Sequence, residues 1–278
     1  MLLLALDTST RQASLALSTE NELLGEYTWH VGNNHSVELL ERIQRIAAEC
    51  NRTMQDIDAV AVATGPGSFN GVRVAVSVAK ALAFSLQKPL VGISTLDIIA
   101  AQQQHWQGPV CSIMEAGRSD LYAACYAFDR TSHSEGEINY NMRQLSDYFL
   151  LSPQQLASNL QEQANIWFGI PGERELPLFL FCGEITLTSR QMLFTQMQEK
   201  CFFVNTVQSS RYASILAMLA LQRFHNGKVD NPLMLEPLYI RRPSITTSTR
   251  KQPLLGGKSG HSPQGPGQTE REQGALRH

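Results

Sequence analysis

The stretch DAVAVATGPGSFNGVRVAVSVAKALAFSL (residues 58–86) predicts a strand, a glycine-rich turn and a helix in succession. The apolar run at 58–63 has the length of a buried strand, and the longer run at 71–86 has that of a helix. The turn between them, TGPGSFNG (64–71), lies where backbone amides at a helix start can hold an anion. A tight turn with a helix cap is the alternative for the same residues.

The residue types in this turn favour the structural alternative. No Lys-Ser or Lys-Thr pair follows the glycines, so the turn is not a G-x-x-x-x-G-K-[ST] phosphate loop. Pro66 removes one amide donor, whereas Gly65 and Gly67 permit conformations closed to other residues. Ser68 or Asn70 can cap the helix, and a phosphate contact through the amides of 67–69 stays open.

The pattern around this unit predicts a ribonuclease-H-like lobe. Three short strands joined by polar turns form an antiparallel meander, and helices and strands then alternate. The predicted elements are strands at 2–7, 13–18, 22–29, 58–63 and 89–93 and helices at 35–50, 71–86 and 95–105.

The second half of the chain is less regular. Its predicted strands are at 109–114, 120–128, 176–183 and 201–205, and its predicted helices at 152–163, 188–200 and 209–225. Residues 129–140 are predicted to form a polar loop that runs into a possible strand. We expect an N-terminal lobe at 1–106, on which helix 209–225 docks, and a second lobe at 107–243. Residues 244–278 are rich in Ser, Thr, Gly, Pro and Gln, which predicts a disordered tail.

Composition narrows the functional classes. The chain has 278 residues, of which 43% are hydrophobic, and a formal net charge of -2, which provides no strongly basic surface for nucleic acid. Its five cysteines are well separated and include no C-x-x-C, as expected for reduced thiols. The apolar start before Asp7 is too short for a signal peptide or a membrane span, so we expect a cytoplasmic protein.

Helix 71–86 is apolar over more of its circumference than a surface helix needs. Its apolar arc covers roughly 220°, although little more than 100° is enough to cover a core. Within the arc lies a small-residue stripe, made of Val72, Ala75, Val76, Ala79 and Ala83. The chain's own C-terminal helix or another subunit would cover this stripe. Helix 35–50 is an ordinary amphipathic helix whose charged face, with Glu38 and Arg42, is either solvated or part of a contact.

Six segments together resemble the TsaB (YeaZ) family, and the resemblance covers residues 1–243. They are ALDTST (5–10), NHSVELLERI (34–43), GPGSFNGVRVAVSVAKALA (65–83), VGISTLDIIA (91–100), RSDLYAACY (118–126) and PLYIRRP (237–243). Asn70 replaces a usual Thr, Ala81 a usual Gly, and MEAGRSDLY (114–122) a D-A-R-R-x-E-[VL]-Y pattern, so the role of that last motif is less secure. The resemblance implies an α/β chain with the actin/Hsp70-like sugar-kinase (ASKHA) fold, two ribonuclease-H-like lobes with mixed sheets.

The resemblance also implies a function in bacterial tRNA threonylcarbamoyladenosine (t6A) synthesis. Members of the family are non-catalytic scaffold subunits that bind the catalytic paralogue TsaD, and a TsaE-type ATPase joins them. The assembly transfers threonylcarbamoyl to adenosine 37 of ANN-decoding tRNAs, which this chain would contact only indirectly. ATP and a metal would belong to the partner subunits, and the chain alone would form a homodimer. The expected interface is the small-residue stripe with Glu38 and Arg42.

An enzyme of the same fold is the alternative. The catalytic paralogue carries a metal through H-x-x-x-H, but here His35 is followed at that spacing by Leu39, so we expect no metal site and no catalytic residue. ATP-using members of the fold end an early strand in a carboxylate beside the phosphate, as Asp7 would; the alternative is that Asp7 accepts hydrogen bonds from the turn at Thr8–Thr10. Candidate phosphate or nucleotide residues are therefore Asp7, Thr8, Gly65, Gly67 and Ser68. A stand-alone M22-type metallopeptidase, the older glycoprotease label, or an ASKHA-fold kinase remains the second hypothesis.

Overall fold

Two mixed sheets with helices on their faces make up the described part of the chain. In this computed structural model the described residues are 1–31, 35–132, 138–167, 177–205 and 209–241. Residues 1–242 form one compact unit. The tail predicted at 244–278 lies outside the described residues.

The first sheet has the strand order β3-β2-β1-β4-β5. Its strands are β1 (Leu3–Asp7), β2 (Gln12–Ser18), β3 (Leu23–His30), β4 (Ala59–Ala63) and β5 (Leu90–Ile93). The first three are antiparallel, with Ala5 opposite Ala16, and β4 and β5 run parallel to β1. Its accompanying helices are α1 (His35–Glu49), α2 (Phe69–Leu86) and α3 (Thr95–Ala101).

The second sheet has the order β11-β10-β6-β7-β8, with β9 added alongside β7. Its strands are β6 (Val110–Glu115), β7 (Leu121–Ser132), β8 (Ile138–Gln144), β9 (Phe149–Leu151), β10 (Phe179–Glu184) and β11 (Cys201–Phe203), and its helices are α4 (Pro153–Trp167), α5 (Leu187–Met197) and α6 (Ala213–His225). Here too the first three strands, β6 to β8, are antiparallel, and β10 and β11 run parallel to β6. The second sheet therefore repeats the order and direction of the first, which confirms the predicted fold of two ribonuclease-H-like lobes.

The central strands of each sheet are buried on both faces, because alternate residues of a strand point to opposite sides and helices pack on both. Leu4 and Leu6 of β1 pack towards α1 and α2, whereas Leu3 and Ala5 pack against α6. In the second sheet, one face packs against α4 and α5 and the other against α3. The helix that follows the last strand of each sheet thus packs on the other sheet, and this exchange joins the two lobes.

The hairpin of β7 and β8 extends further than the sequence predicted, since a polar loop running into a possible strand was expected at 129–140. Residues up to Ser132 continue β7, and Asp129 lies opposite Asn141 of β8. Because β8 is an edge strand, it needs no continuous apolar face, so its sequence lacks a strand signal. Two helices are also shorter than predicted, since α3 ends at Ala101 and α6 begins at Ala213.

Within the described residues, α2 is the one helix that is long and apolar enough to cross a membrane by length and composition. Six of its residues are nevertheless buried, and most of them belong to the apolar core beneath α1 and α2. Part of its apolar composition therefore reflects packing within the first lobe.

Candidate functional site

The turn before α2 packs directly against the turn between β1 and β2. A Cβ added to Gly67 would lie 2.1 Å from the carbonyl oxygen of Ser9, and one added to Gly71 would lie 2.1 Å from that of Thr8. The Ser68 amide donates to the Ser9 carbonyl, and the Thr8 hydroxyl donates to the Gly71 carbonyl at 2.7 Å. Only glycine permits this approach of two backbones.

These contacts favour a turn and cap over an anion site. The Ser68 side chain is the N-cap of α2 and accepts from the Gly71 amide at 3.3 Å. Gly65 adopts a φ of +97°, which glycine tolerates, and the peptide bond to Pro66 is cis. The amide and the hydroxyl of Ser68 are thus both engaged within the protein, and the contact of Gly67 and Ser68 with a phosphate stays a prediction.

Asp7 at the end of β1 is engaged by an arginine that the sequence did not single out. Its carboxylate accepts from the Ser9 amide at 2.8 Å and forms an ion pair with Arg211 at 3.3 Å between Oδ2 and Nε. Asp7 and Arg211 are each only 1% exposed. A cation already stands where Asp7 would hold a metal or phosphate complex, so the geometry does not favour Asp7 as a nucleotide ligand.

Arg211 also contacts the second lobe. Its Nη1 donates to Glu184 Oε1 at 2.7 Å, at the end of β10, and its Nη2 donates to the Thr10 hydroxyl and the Gln12 carbonyl. Burial alone would lower the pKa of Arg211, but the carboxylates of Asp7 and Glu184 outweigh it and raise that pKa. The guanidinium is therefore a fixed positive charge at this point.

A cavity of about 410 Å³ lies beside this ion cluster, at the carboxyl ends of β6 and β10. Such strand ends are where ligands bind in α/β folds. Its lining includes Gln12, Glu115, Glu184, Thr186 and Arg190. Glu115 accepts from the Thr186 amide at 2.9 Å, so a carboxylate of the chain already lies at the start of α5.

The altered motif at 114–122 forms the turn between β6 and β7. Arg118 and Ser119 there have φ values of +57° and +62°. Asp120 forms an ion pair with Arg241, whose Nη1 donates to the Ala116 carbonyl at 3.0 Å. The acidic residues of this motif therefore hold internal contacts.

The small-residue stripe was predicted to contact a partner protein, and this prediction was wrong for these five residues. All five members, Val72, Ala75, Val76, Ala79 and Ala83, are 4% exposed or less and lie in the core of the first lobe. Their small size lets α2 approach the first sheet and α1 closely. The chain itself therefore covers the part of the apolar arc that contains the stripe.

Residues 233–238 cover part of α2, and we call them the covering segment. Their position against this helix was not predicted from the sequence. Leu235 packs into the core beneath α2, and the Lys80 ammonium donates to the carbonyls of Leu233 and Leu235 at 3.3 and 3.0 Å. The Leu238 amide donates to the Thr64 carbonyl at 2.8 Å. The C-terminal helix α6 lies instead on the opposite face of the sheet.

The side of α2 that stays open to solvent carries different residues. Ser77 and Ala81 are exposed, Phe84 is 72% exposed, and Leu233 and Met234 of the covering segment are each 74% exposed. Phe84 lies one turn beyond Lys80, whose ammonium holds Leu233. We use the name outer face of α2 for Ser77, Ala81 and Phe84 of the helix together with Leu233 and Met234 of the covering segment. Large exposed apolar side chains of this kind mark interaction surfaces.

The two charged interface candidates on α1 are half-buried. The Arg42 guanidinium lies 4.5 Å from the centroid of the Trp29 ring, a cation–π contact within the first lobe. Glu38 lies one turn before it. Their contact with a partner stays a prediction.

The described residues include only part of the position at which the catalytic paralogue carries its metal. The side chain of His35 lies outside the described residues, and Leu39 is fully buried in the apolar core. Within the described ranges no group of three His, Cys, Asp or Glu side chains is close enough to hold a metal ion.

A second buried carboxylate lies between α3 and the second sheet. Asp97 Oδ1 accepts from the hydroxyls of Tyr126 at 2.6 Å and Tyr148 at 3.1 Å. Burial raises the pKa of Asp97, although both hydrogen bonds oppose the shift. Burial likewise raises the pKa of Tyr126.

Comparison with protein families gives a match over residues 29–247 to the family TsaD, tRNA N6-adenosine threonylcarbamoyltransferase. The chain is similar to the tRNA threonylcarbamoyladenosine biosynthesis protein TsaB of Bacillus subtilis, with 29% identity over 80% of this chain and 88% of the relative. The TsaB protein of Escherichia coli is 28% identical over 87% of this chain and 95% of the relative.

Two solved structures are similar to this chain over most of its length. A Pseudomonas aeruginosa protein described as uncharacterized, with similarity to the peptidase YeaZ, superposes with a TM-score of 0.66 and 26% identity, covering 86% of this chain and 99% of its own. A second structure, YeaZ from Pseudomonas aeruginosa, has a TM-score of 0.63 at 24% identity, covering 86% of this chain and 99% of its own.

Proposed function

The chain belongs to the TsaB (YeaZ) group of the threonylcarbamoyltransferase family, and from this membership we propose that it is a scaffold subunit of t6A synthesis. It binds a TsaD-type catalytic paralogue, and a TsaE-type ATPase joins the assembly in the cytoplasm. ATP and a metal act in those partners, and tRNA contacts this chain indirectly. Without the paralogue, two copies of this chain pair with each other.

The outer face of α2 is the observation that supports a scaffold role. Phe84, Leu233 and Met234 place three large apolar side chains in water, and Ser77 and Ala81 leave room beside them for a second helix. Exposing so much apolar surface costs free energy unless a partner covers it. We propose that the paralogue binds here, with α1 contributing the exposed Leu40.

The cluster around Arg211 supports a non-catalytic role. Asp7 occupies the end of the central strand, where an ATP-using protein would need a free carboxylate beside its phosphate and metal. Here Asp7 is neutralised by Arg211 inside the protein, and Glu115 lies against the start of α5. The carboxylates of Asp7 and Glu115 are both engaged in contacts within the chain.

Co-purification followed by a modification assay tests the proposal. The full chain is co-expressed with the TsaD-type paralogue from the same genome, captured, and assayed for t6A formation on an ANN-decoding tRNA with TsaE-type ATPase present. We expect stoichiometric capture and product only when this chain is included. Equal product in its absence, or ATP turnover by the isolated chain, would refute the scaffold role.

Matched variants locate the binding surface. Ala81→Glu and Phe84→Asp each introduce a charge on the outer face of α2 and should weaken capture at least tenfold. Phe194→Asp is the control, because Phe194 is 54% exposed on α5 of the other lobe. Loss of capture by the control alone would place the interface elsewhere.

A further inference from the structure

Arg211 connects the two lobes at the ends of their equivalent strands. The guanidinium donates hydrogen bonds to Asp7, Thr10 and Gln12, on β1, β2 and the turn between them. It also donates to Glu184, at the end of β10 in the second sheet. By topology β10 is the second lobe's counterpart of β4, next to its central strand. One side chain thus bridges both sheets where the cleft between them begins.

The arrangement suits a guanidinium. Arginine has five N–H donors in a planar fork, and Nε, Nη1 and Nη2 each bind a different element of the protein here. A lysine ammonium is a single point charge and would not reach both carboxylates in the same way. The arginine head is 1% exposed, so it needs these partners to offset the loss of water.

Without the arginine, the buried carboxylate of Asp7 would lose the cation with which it pairs. Asp7 is buried, and Glu115 and Glu184 line the adjoining cavity. Arg190 also lines this cavity and offsets part of the charge of Glu115 and Glu184, but the buried Asp7 would still need a cation. Arg211 supplies that cation from within the chain.

We propose that Arg211 is an interlobe latch, an internal cation that holds the two lobes in one arrangement without any ligand in the cleft. The latch has a buried arm to Asp7 in the first lobe and a half-exposed arm to Glu184 in the second. It fixes the position of the two lobes relative to each other. This inference does not depend on the identity of any partner.

Hydrogen–deuterium exchange on the full chain tests the latch. Arg211→Ala removes both arms, and Glu184→Ala removes only the arm to the second lobe. In both variants we expect at least fivefold faster exchange in peptides covering 7–12, 115–120 and 182–187. Arg223→Ala is the matched control, since Arg223 donates to the Gly92 carbonyl and pairs with Asp230, on the first sheet and the segment paired with it.

Chemical rescue separates a latch from a general loss of stability. The cavity left by Arg211→Ala should accept free guanidinium, so about 10 mM guanidinium chloride should restore slow exchange at the cleft. Urea, which is neutral, and sodium chloride at the same concentration should not. If Arg211→Ala does not fold, Glu184→Ala still tests the second arm. Cleft exchange at the wild-type or Arg223→Ala rate, or equal rescue by urea, would overturn the proposal.

Discussion

Ala79 and Ala81, two residues apart on α2, lie on opposite sides of the helix. Ala79 is fully buried between α2 and the first sheet, whereas Ala81 is exposed to solvent. Successive residues of a helix are about 100° apart, so a separation of two residues turns a side chain to the other side. The boundary between fold and interaction surface therefore runs along this helix.

This boundary predicts opposite outcomes for two equivalent substitutions. Ala79→Glu buries a charge in the apolar core and should destabilise the protein by more than about 3 kcal/mol or prevent folding. Ala81→Glu should change the free energy of unfolding by less than about 0.5 kcal/mol. Urea denaturation followed by circular dichroism measures both. Similar stabilities for the two variants would contradict this orientation of α2.

Most of the architecture could be predicted from local patterns. The unit at 58–86 combines an apolar strand, glycines and a long apolar helix, and each of these signals acts within a few residues. What covers the helix could not be predicted, since an apolar arc does not identify its partner. The covering segment includes Leu235, and its carbonyl accepts a hydrogen bond from Lys80, 155 positions earlier in the chain.

The candidate site was less predictable than the fold. Asp7 was recognisable as a carboxylate at a strand end, but the arginine that neutralises it lies 204 residues away. Arg211 has no spacing motif, and only the three-dimensional exchange of α6 onto the first sheet brings it to Asp7. The duplicated sheet order was expected from the family resemblance alone, because topology repeats here without a repeat of sequence.

Gly67 offers a test of the close contact between the two turns. A Cβ at this position would overlap the Ser9 carbonyl, so Gly67→Ala must shift one backbone and should cost about 1–3 kcal/mol. Gly227→Asn is the control, because Gly227 has open space and a φ of +68°, which asparagine tolerates. Thermal denaturation compares them. An unchanged midpoint for Gly67→Ala would show that the turns are further apart.

Ser68 distinguishes a helix cap from an anion site. As an N-cap its loss in Ser68→Ala should cost about 1 kcal/mol, and Ser68→Asp should retain the stability. Inorganic phosphate should leave the unfolding midpoint of wild type and both variants unchanged at constant ionic strength. Phosphate stabilisation that disappears in Ser68→Ala would instead restore the anion interpretation of the turn.

Asp97 makes the stability of the protein depend on pH. Its pKa in the folded state is raised by burial, so the folded protein binds a proton more tightly than the unfolded chain does. Stability from this group is fully present below about pH 4, the ordinary aspartate value, and is lost as the pH rises through the raised pKa. The loss amounts to about 1.4 kcal/mol for each unit by which the pKa is raised.

Asp97→Asn should remove this component while keeping the two phenol contacts. One oxygen, Oδ1, accepts from both Tyr126 and Tyr148, and an asparagine carbonyl can do the same without a charge. Urea denaturation of both proteins at intervals from pH 4 to pH 7 isolates Asp97, since all other titrating groups are shared. We expect the wild type to lose stability relative to Asp97→Asn as the pH rises, and the variant to equal or exceed it at pH 7. Tyr126→Phe is the control for the hydrogen bond, because it removes one donor and should lower stability at every pH. Parallel profiles for wild type and Asp97→Asn would mean that Asp97 titrates as a solvent-exposed aspartate does.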